Sequence, residues 1–199
     1  MARKPKTAEE AEAFRTRLIA AAVPLFAQKG AAHVSMREIA ETVGVSAMTP
    51  YLYFPDKDAI FAAVRIAALT RFSDALRNAV QDKDPLDASR AVSRAYVDFA
   101  LGEPGMYRLL FDHDVAAGEA GSELAEASRK ARETLTHYVR PLVDAGILSG
   151  DPEMIGALFW ASVHGTLVLQ RSGALGNIDG DTLRRILVRA IFRGLRIAG

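Results

Sequence analysis

Apolar residues recur at three- and four-residue spacing along almost the whole chain, and no segment alternates with period two for long. That pattern predicts helices rather than strands. Phe14, Leu18, Leu25 and Phe26 form one stripe, filled by Ala21 and Ala22, and Gly30 stops it with Lys29 at the negative end. Ser35-Met36-Arg37-Glu38 is a capping-box pattern. It predicts a short helix over 36–42, with Ile39, Ala40 and Val43 inward. Gly44 breaks it, and Ser46 is a good N-cap for another short helix over 47–53. Pro55-Asp56-Lys57 then opens a long helix with the stripe Ile60, Val64, Ala68, Phe72, Leu76 and Ala79.

Asp84-Pro85 starts a helix carrying Val92, Tyr96 and Phe99, which Gly102, Pro104 and Gly105 interrupt before a short one through Tyr107 and Phe111. Residues 112–121 read as a polar loop. From about Ser122 a helix carries Leu124, Ala131, Leu135, Tyr138 and Leu142; Pro141 should bend it, and Gly146 is a natural stop. Asp151-Pro152 pairs an N-cap with proline at the first helical position. It opens an apolar helix through Ile155, Phe159, Val163 and Leu167. Gly173, Gly176 and Gly180 separate that from a last helix with Leu183, Ile186, Leu187, Ala190 and Ile191. The expectation is an all-α protein of about nine helices.

Composition narrows the classes. The chain has 199 residues, enough for a real core, and its 35 alanines favour helix. With no cysteine, disulfide frameworks, zinc fingers and thiol nucleophiles are excluded. Basic residues near Met1 precede no apolar segment, so no secretory signal is read there. The apolar run from Ile155 to Leu169 is short of a membrane span and contains His164, so a soluble cytoplasmic protein is expected. The net charge of +1 leaves partner choice to where the basic groups sit.

The informative segment runs from Ser35 to Tyr53, where two short helices flank Val43-Gly44-Val45. Two short helices joined by a glycine turn make a helix-turn-helix. Such a unit offers its second helix to a DNA major groove about 12 Å wide while the first braces it.

Over about 45 residues, order, spacing and residue type resemble the DNA-binding domain of TetR-type transcriptional regulators. The matching stretches are Leu18 to Gly30, Ser35-Met36-Arg37-Glu38-Ile39-Ala40, and Gly44 to Lys57, with the block Tyr51-x-Tyr53-Phe54-x2-Lys57 the most distinctive. Trp160-Ala161-Ser162-Val163-His164-Gly165 also resembles a Trp-x3-His-Gly signature of one ligand-domain subtype. The resemblance implies a polar N-terminal arm (1–12), a DNA-binding domain (13–58) and a helical ligand-binding and dimerisation domain (59–199).

It also implies roles. Ser35 and Met36 would offer backbone N–H groups to a phosphate, and Arg37 would reach a phosphate or a base. Ser46 would cap the recognition helix, whose first turn (Ala47, Met48, Thr49) would read bases. Tyr51 and Lys57 would contact phosphates. Ala47 and Met48 suit thymine methyl groups but make no bidentate bonds, so specificity would lean on Arg37, Thr49 and DNA shape. Pro50 departs from the leucine-like residue usual there and removes one early backbone bond, which should distort this helix.

Plainer roles compete at several positions. Tyr53 reads as a core aromatic, and Arg3, Lys4 and Lys6 as a solvated arm that would only incidentally enter a minor groove. Asp112, His113, Asp114 and Glu119 read as a solvated loop rather than a metal site. Trp160 and His164, four apart, share a helix face and would serve equally as packing or as ligand contacts. No catalytic motif is present: no His-Glu-x-x-His, no P-loop, no Gly-x-Ser-x-Gly. Neither an enzyme nor a cofactor is expected.

The implied mechanism is a homodimeric, ligand-responsive repressor on a palindromic double-stranded operator, paired through its last two helices. Gly156, Ala157, Ala161 and Gly165 are small enough for close approach there, beside a Leu183, Leu187 and Ile191 stripe. Tyr96, Phe99, Tyr107, Phe111, His137, Tyr138 and Trp160, with His164, are candidate walls for an apolar or aromatic inducer. The rival reading is a helical small-molecule binding protein without DNA function.

Overall fold

The computed structural model describes residues 7–81, 83–111 and 123–196. Among them are α1 (Ala8–Lys29), α2 (Met36–Val43), α3 (Lys57–Ala79), α4 (Pro85–Gly102), α5 (Pro104–Leu110), α6 (Glu123–His137), α7 (Arg140–Asp144), α8 (Pro152–Arg171) and α9 (Gly180–Leu195). Two single 3-10 turns, Ala31–His33 and Pro50–Leu52, complete the helical content. The described residues hold no strand, only an isolated antiparallel bridge between Leu148 and Arg196. The all-α expectation holds. The basic arm at Arg3, Lys4 and Lys6 and the polar loop with Asp112, His113, Asp114 and Glu119 lie outside the described residues.

Nine α-helices appear among the described residues, but not the nine expected. The segment 47–53 does not form an α-helix, and the helix expected from Ser122 to Gly146 is two. Proline is the cause in both places. Pro141 cannot donate to the His137 carbonyl, so the chain tightens: the Val139 N–H bonds Thr136 and the Leu142 N–H bonds Val139, and α7 restarts with Pro141 in its first turn.

The chain divides into two compact units, Met1–Arg71 with Glu103–Ser128, and Phe72–Gly102 with Arg129–Gly199. α3 is continuous from Lys57 to Ala79 and supplies residues to both units.

In the first unit, Thr7 caps α1 by accepting the Glu10 N–H at 3.1 Å. Ser35 caps α2 by accepting the Glu38 N–H at 3.2 Å, as the capping box requires. Leu18, Ala22, Phe26, Ile39, Ala40, Ile60, Phe61 and Val64 are buried together as its core, with Phe26 and Phe61 rings 4.9 Å apart. α5 joins this unit: a Cβ on Gly105 would lie 2.7 Å from the Ala27 Cβ, so α1 and α5 meet at a position only glycine fits.

In the second unit, Asp84, Asp151 and Asp179 cap α4, α8 and α9 through first-turn N–H groups. Each removes orphan donors that a helix leaves at its start. Val139, Leu142, Leu148, Ile155 and Phe159 form a core against which Val188, Ile191, Phe192 and Leu195 of α9 pack. Gly146 (φ +67°) ends α7 as expected, the Ile147 N–H returning to the Leu142 carbonyl at 2.9 Å.

Candidate nucleic-acid interface and ligand groove

The DNA-facing candidates sit around the end of α2. Gly44 adopts φ +75° and ψ +36°, and the Val45 N–H bonds back to the Ala40 carbonyl at 3.0 Å. A side chain at Gly44 would be strained in that left-handed conformation, so glycine sets where the chain turns. Pro50 sets the shape of the next segment. The Ser46 carbonyl, which an α-helix would bond to residue 50, instead accepts the Thr49 N–H at 2.9 Å, and Thr49 accepts Leu52 at 3.1 Å. The expected recognition helix is therefore a turn over 47–49 and one 3-10 turn.

That compact segment presents Ser46, Ala47, Met48 and Tyr51 to solvent, Met48 with 70% and Tyr51 with 48% exposure. Leu52, not singled out from the sequence, is 63% exposed beside them; the signal was an apolar residue just beyond Pro50. Thr49 departs from its expected base-reading role. It is 4% exposed, and its hydroxyl meets that of Ser46 at 2.9 Å, so it braces the turn from inside.

At the start of α2, Ser35 is exposed and Met36 buries its side chain while its backbone N–H is one of the orphan donors of the first turn. Arg37 is 79% exposed and pairs with Glu41 at 2.9 Å, a contact weak enough to exchange for a phosphate. Lys29 pairs with Glu38 across the gap between α1 and α2, and this cation holds the Glu38 carboxyl below its ordinary range. Lys57 is half-buried and donates to the Ala31 carbonyl at 2.7 Å, using one of three ammonium hydrogens. Tyr53 packs its ring 4.7 Å from Phe14 while its carbonyl accepts from Arg15 at 2.8 Å, in line with a core role.

The second unit contains a groove of about 830 Å3. α4 contributes Tyr96 and Val97, α6 contributes Leu135, the link after it contributes Tyr138, α8 contributes Phe159, Trp160 and Val163, and α9 contributes Val188 and Phe192. The Trp160 indole donates to the Tyr96 hydroxyl at 3.1 Å, and Nδ1 of His164 stands within hydrogen-bond distance of that same hydroxyl, also at 3.1 Å. Tyr138 has no hydrogen-bond partner for its hydroxyl among the described residues, and burial raises its pKa above the ordinary phenol value.

Of the eight candidate wall residues, Tyr96, Tyr138 and Trp160 line this groove. Five other candidates do not. His164 stands behind Tyr96 in the hydrogen-bond chain without lining the groove. Phe99 is buried against Phe72, rings 5.3 Å apart. Tyr107 and Phe111 belong to the first unit, where their rings meet edge to face at 5.1 Å. His137 is not a wall residue either: it ends α6, just where the break at Pro141 redirects the chain, while Tyr138 turns in. The arginines of the groove (Arg90, Arg94, Arg184, Arg185, Arg189 and Arg196) were not foreseen. Their signal was two i, i+4 pairs, Arg90 with Arg94 on α4 and Arg185 with Arg189 on α9, each on one helix face.

The seam residues also redistribute. Gly156 faces inward: a Cβ there would lie 2.6 Å from Cγ2 of Thr136, so its smallness serves α6 against α8. Ala157 and Ala161 are exposed on the same helix as the exposed Met154, Leu158 and Val168, and a Cβ on Gly165 would meet only open space. On α9, Leu183, Leu187 and Ile191 are half-buried, whereas Ile186 is 59% exposed and Ala190 is exposed.

No described helix is long and apolar enough to cross a membrane, and no cluster of potential metal ligands occurs among the described residues.

Comparison with known proteins agrees with this architecture. The chain is 29% identical over 123 residues to an uncharacterised HTH-type transcriptional regulator of Mycobacterium tuberculosis, covering 60% of this chain and 52% of that protein. It is 28% identical over 144 residues to the HTH-type transcriptional activator FasR of Mycolicibacterium smegmatis, covering 71% and 64% respectively. The chain therefore spans about half to two thirds of the length of these curated relatives. A solved protein of unknown function from Rhodococcus sp. RHA1 superposes with a TM-score of 0.80 at 28% identity, over 92% of this chain and 95% of that one. The family pattern of bacterial regulatory proteins, tetR family, matches residues 18–64, and that of the tetracyclin repressor-like C-terminal domain matches residues 89–191, over half of the chain. The chain belongs to the TetR family of regulatory proteins.

Proposed function

We propose that this chain is a ligand-responsive transcriptional regulator that binds a palindromic operator as a homodimer, and that it represses until a small-molecule inducer releases it. The observation that carries the reading is the exposed, preshaped segment Ser46–Leu52 beyond the capped helix α2. Its apolar tip at Ala47 and Met48 suits thymine methyl groups, Arg37 and the first-turn N–H groups suit phosphates, and Tyr51 offers a hydroxyl to another. One such unit touches too few base pairs to be selective, so two copies on a two-fold site are required. The apolar face of α8 and α9 at Met154, Leu158, Ala161, Gly165 and Ile186 supports pairing into an intersubunit four-helix bundle.

The groove under Tyr96 and Trp160 is the inducer site in this reading. α3 supplies residues to both units, so a ligand that shifts its second half would reset the spacing of the two DNA-reading segments. Half-sites are separated by about 34 Å, and small displacements suffice to lower affinity.

Selection of bound sequences from random duplex DNA at low salt tests the proposal. Enrichment of a two-fold symmetric motif is expected. Recovery of no motif, with no shift of any duplex with or without candidate effectors, would overturn it. A reporter fused to the recovered site then reads the sign: rising expression on deletion of the protein means repression, falling expression means activation, as the name of the FasR relative describes for that protein.

A further inference from the structure

We propose that the groove of the second unit takes an amphipathic anion, an elongated apolar body with a carboxylate or phosphate head. The inference deepens the inducer reading above and rests on it.

The floor is apolar and aromatic: Phe159, Trp160, Val163 and Phe192 offer a surface with no ionisable group. The walls are the opposite. Six arginines line the groove, of which Arg90 is paired with Asp87 and Arg184 with Asp181, and Asp98 is the other aspartate of the lining. The whole chain carries only one net positive charge, so this one groove concentrates cations that the remainder of the molecule balances elsewhere.

The arginines differ in how they are occupied. Arg184 is buried and already committed, donating to Gln170 Oε1 at 2.7 Å and to Asp181. Burial lowers its pKa, and Gly180 leaves room for the Gln170 side chain, where a Cβ would lie 2.4 Å from Oε1. Arg184 is thus a structural cation whose charge Asp181 already balances. Arg94, Arg189 and Arg196 have no carboxylate partner and no side-chain hydrogen bond among the described residues. They come from α4 on one side and from α9 and its end on the other. Like charges held along both walls of one cleft focus positive potential into it, and an anionic group relieves that repulsion through forked N–H donors. Over the aromatic floor, desolvation strengthens the same contact. A volume of about 830 Å3 is that of a small-molecule site, in which an apolar body is buried and a few charged groups fix orientation.

A second copy of the chain is the other possible occupant. The faces argue against it: the groove side of α9 carries Arg185, Arg189 and Phe192, whereas the exposed apolar residues Ile186 and Ala190 lie on another side of that helix.

Trp160 is the only tryptophan, so its fluorescence reports the groove directly. The purified full chain is titrated, without DNA, with decanoate, decyl phosphate, decanol, decyltrimethylammonium and inorganic phosphate below micellar concentrations. Saturable quenching by decanoate or decyl phosphate is expected, at least about tenfold tighter than decanol, with the cation and inorganic phosphate weaker still. The relative strength of the two anions identifies the preferred head. Arg94→Gln with Arg189→Gln should weaken the anions by about tenfold and leave decanol unchanged, and Arg94→Lys with Arg189→Lys should recover most of the loss. Equal binding of decanol and decanoate, anion binding insensitive to the arginine variants, inorganic phosphate binding as tightly as decyl phosphate, or no response to any alkyl probe would overturn the inference. Gel shift separates this from the regulator reading. Protein that shifts its operator but ignores the anions loses this inference alone. Protein that prefers decanoate to decanol but binds no duplex loses the regulator reading alone.

Discussion

The indole of Trp160 on α8 donates to the hydroxyl of Tyr96 on α4 at 3.1 Å, and that same hydroxyl stands 3.1 Å from Nδ1 of His164. One phenol thereby ties two residues of α8 to another helix. Removing it with Tyr96→Phe should cost about 1 kcal/mol, since the part-buried indole N–H and imidazole nitrogen each lose a hydrogen bond. Denaturant unfolding followed by Trp160 emission checks this. A variant as stable as the parent would mean that the three side chains are not energetically coupled.

Lys57→Ala should weaken binding to all duplex sequences and reduce the slope of log affinity against log salt by about one. An unchanged slope would leave Lys57 only its bond to Ala31. Tyr51→Phe should lower DNA affinity by about 1 kcal/mol, the worth of one hydrogen bond, with dimer mass by light scattering unaltered. Equal affinity would make Tyr51 a packing residue.

Gly156 and Gly165 give opposite expectations. Gly156→Ala pushes a methyl into Thr136, including its backbone, and should destabilise the fold by about 1–3 kcal/mol. Gly165→Ala meets nothing within 4 Å in the protomer and should leave its thermal stability equal or higher, while weakening association if the seam runs through it. Melting curves of the two variants decide.

Leu158→Glu places a charge on the exposed apolar face of α8 and should yield monomers that keep their helical content. A persistent dimer would put the seam elsewhere.

The Asp179 carboxyl is held below its ordinary range, first by the Thr182 hydroxyl and then by the Thr182 N–H it accepts as the cap of α9. A depressed folded pKa stabilises the protein above the unfolded value, about pH 4, and that contribution is lost as pH falls through the folded pKa. Asp179→Asn keeps the cap oxygen but does not titrate. Its stability should therefore fall less steeply than the parent's between about pH 4 and pH 2, which urea midpoints across that range would show. Parallel curves would remove Asp179 from the acid response.

By itself the sequence determined most of the helices, with their caps and their stops. Three- and four-residue spacing, Ser35, Asp151, Gly44 and Gly146 act within one or two turns, so they were legible without the tertiary structure. It also marked Pro50 and Pro141 as trouble, but not the outcome, because whether a missing N–H bends, tightens or divides a helix depends on what packs beside it. Partnership over long separations belonged to the tertiary structure. Tyr96 meets a tryptophan 64 positions away, Gly156 makes room for Thr136, Tyr107 packs in the first unit rather than the groove, and Thr49 turns inward. An aromatic or an arginine carries the same local signature whether it ends in a core, on a wall or in solvent. Only the crossing of helices that are distant in sequence selects among these, and it is this crossing that set the arginines of α4 and α9 around one aromatic floor.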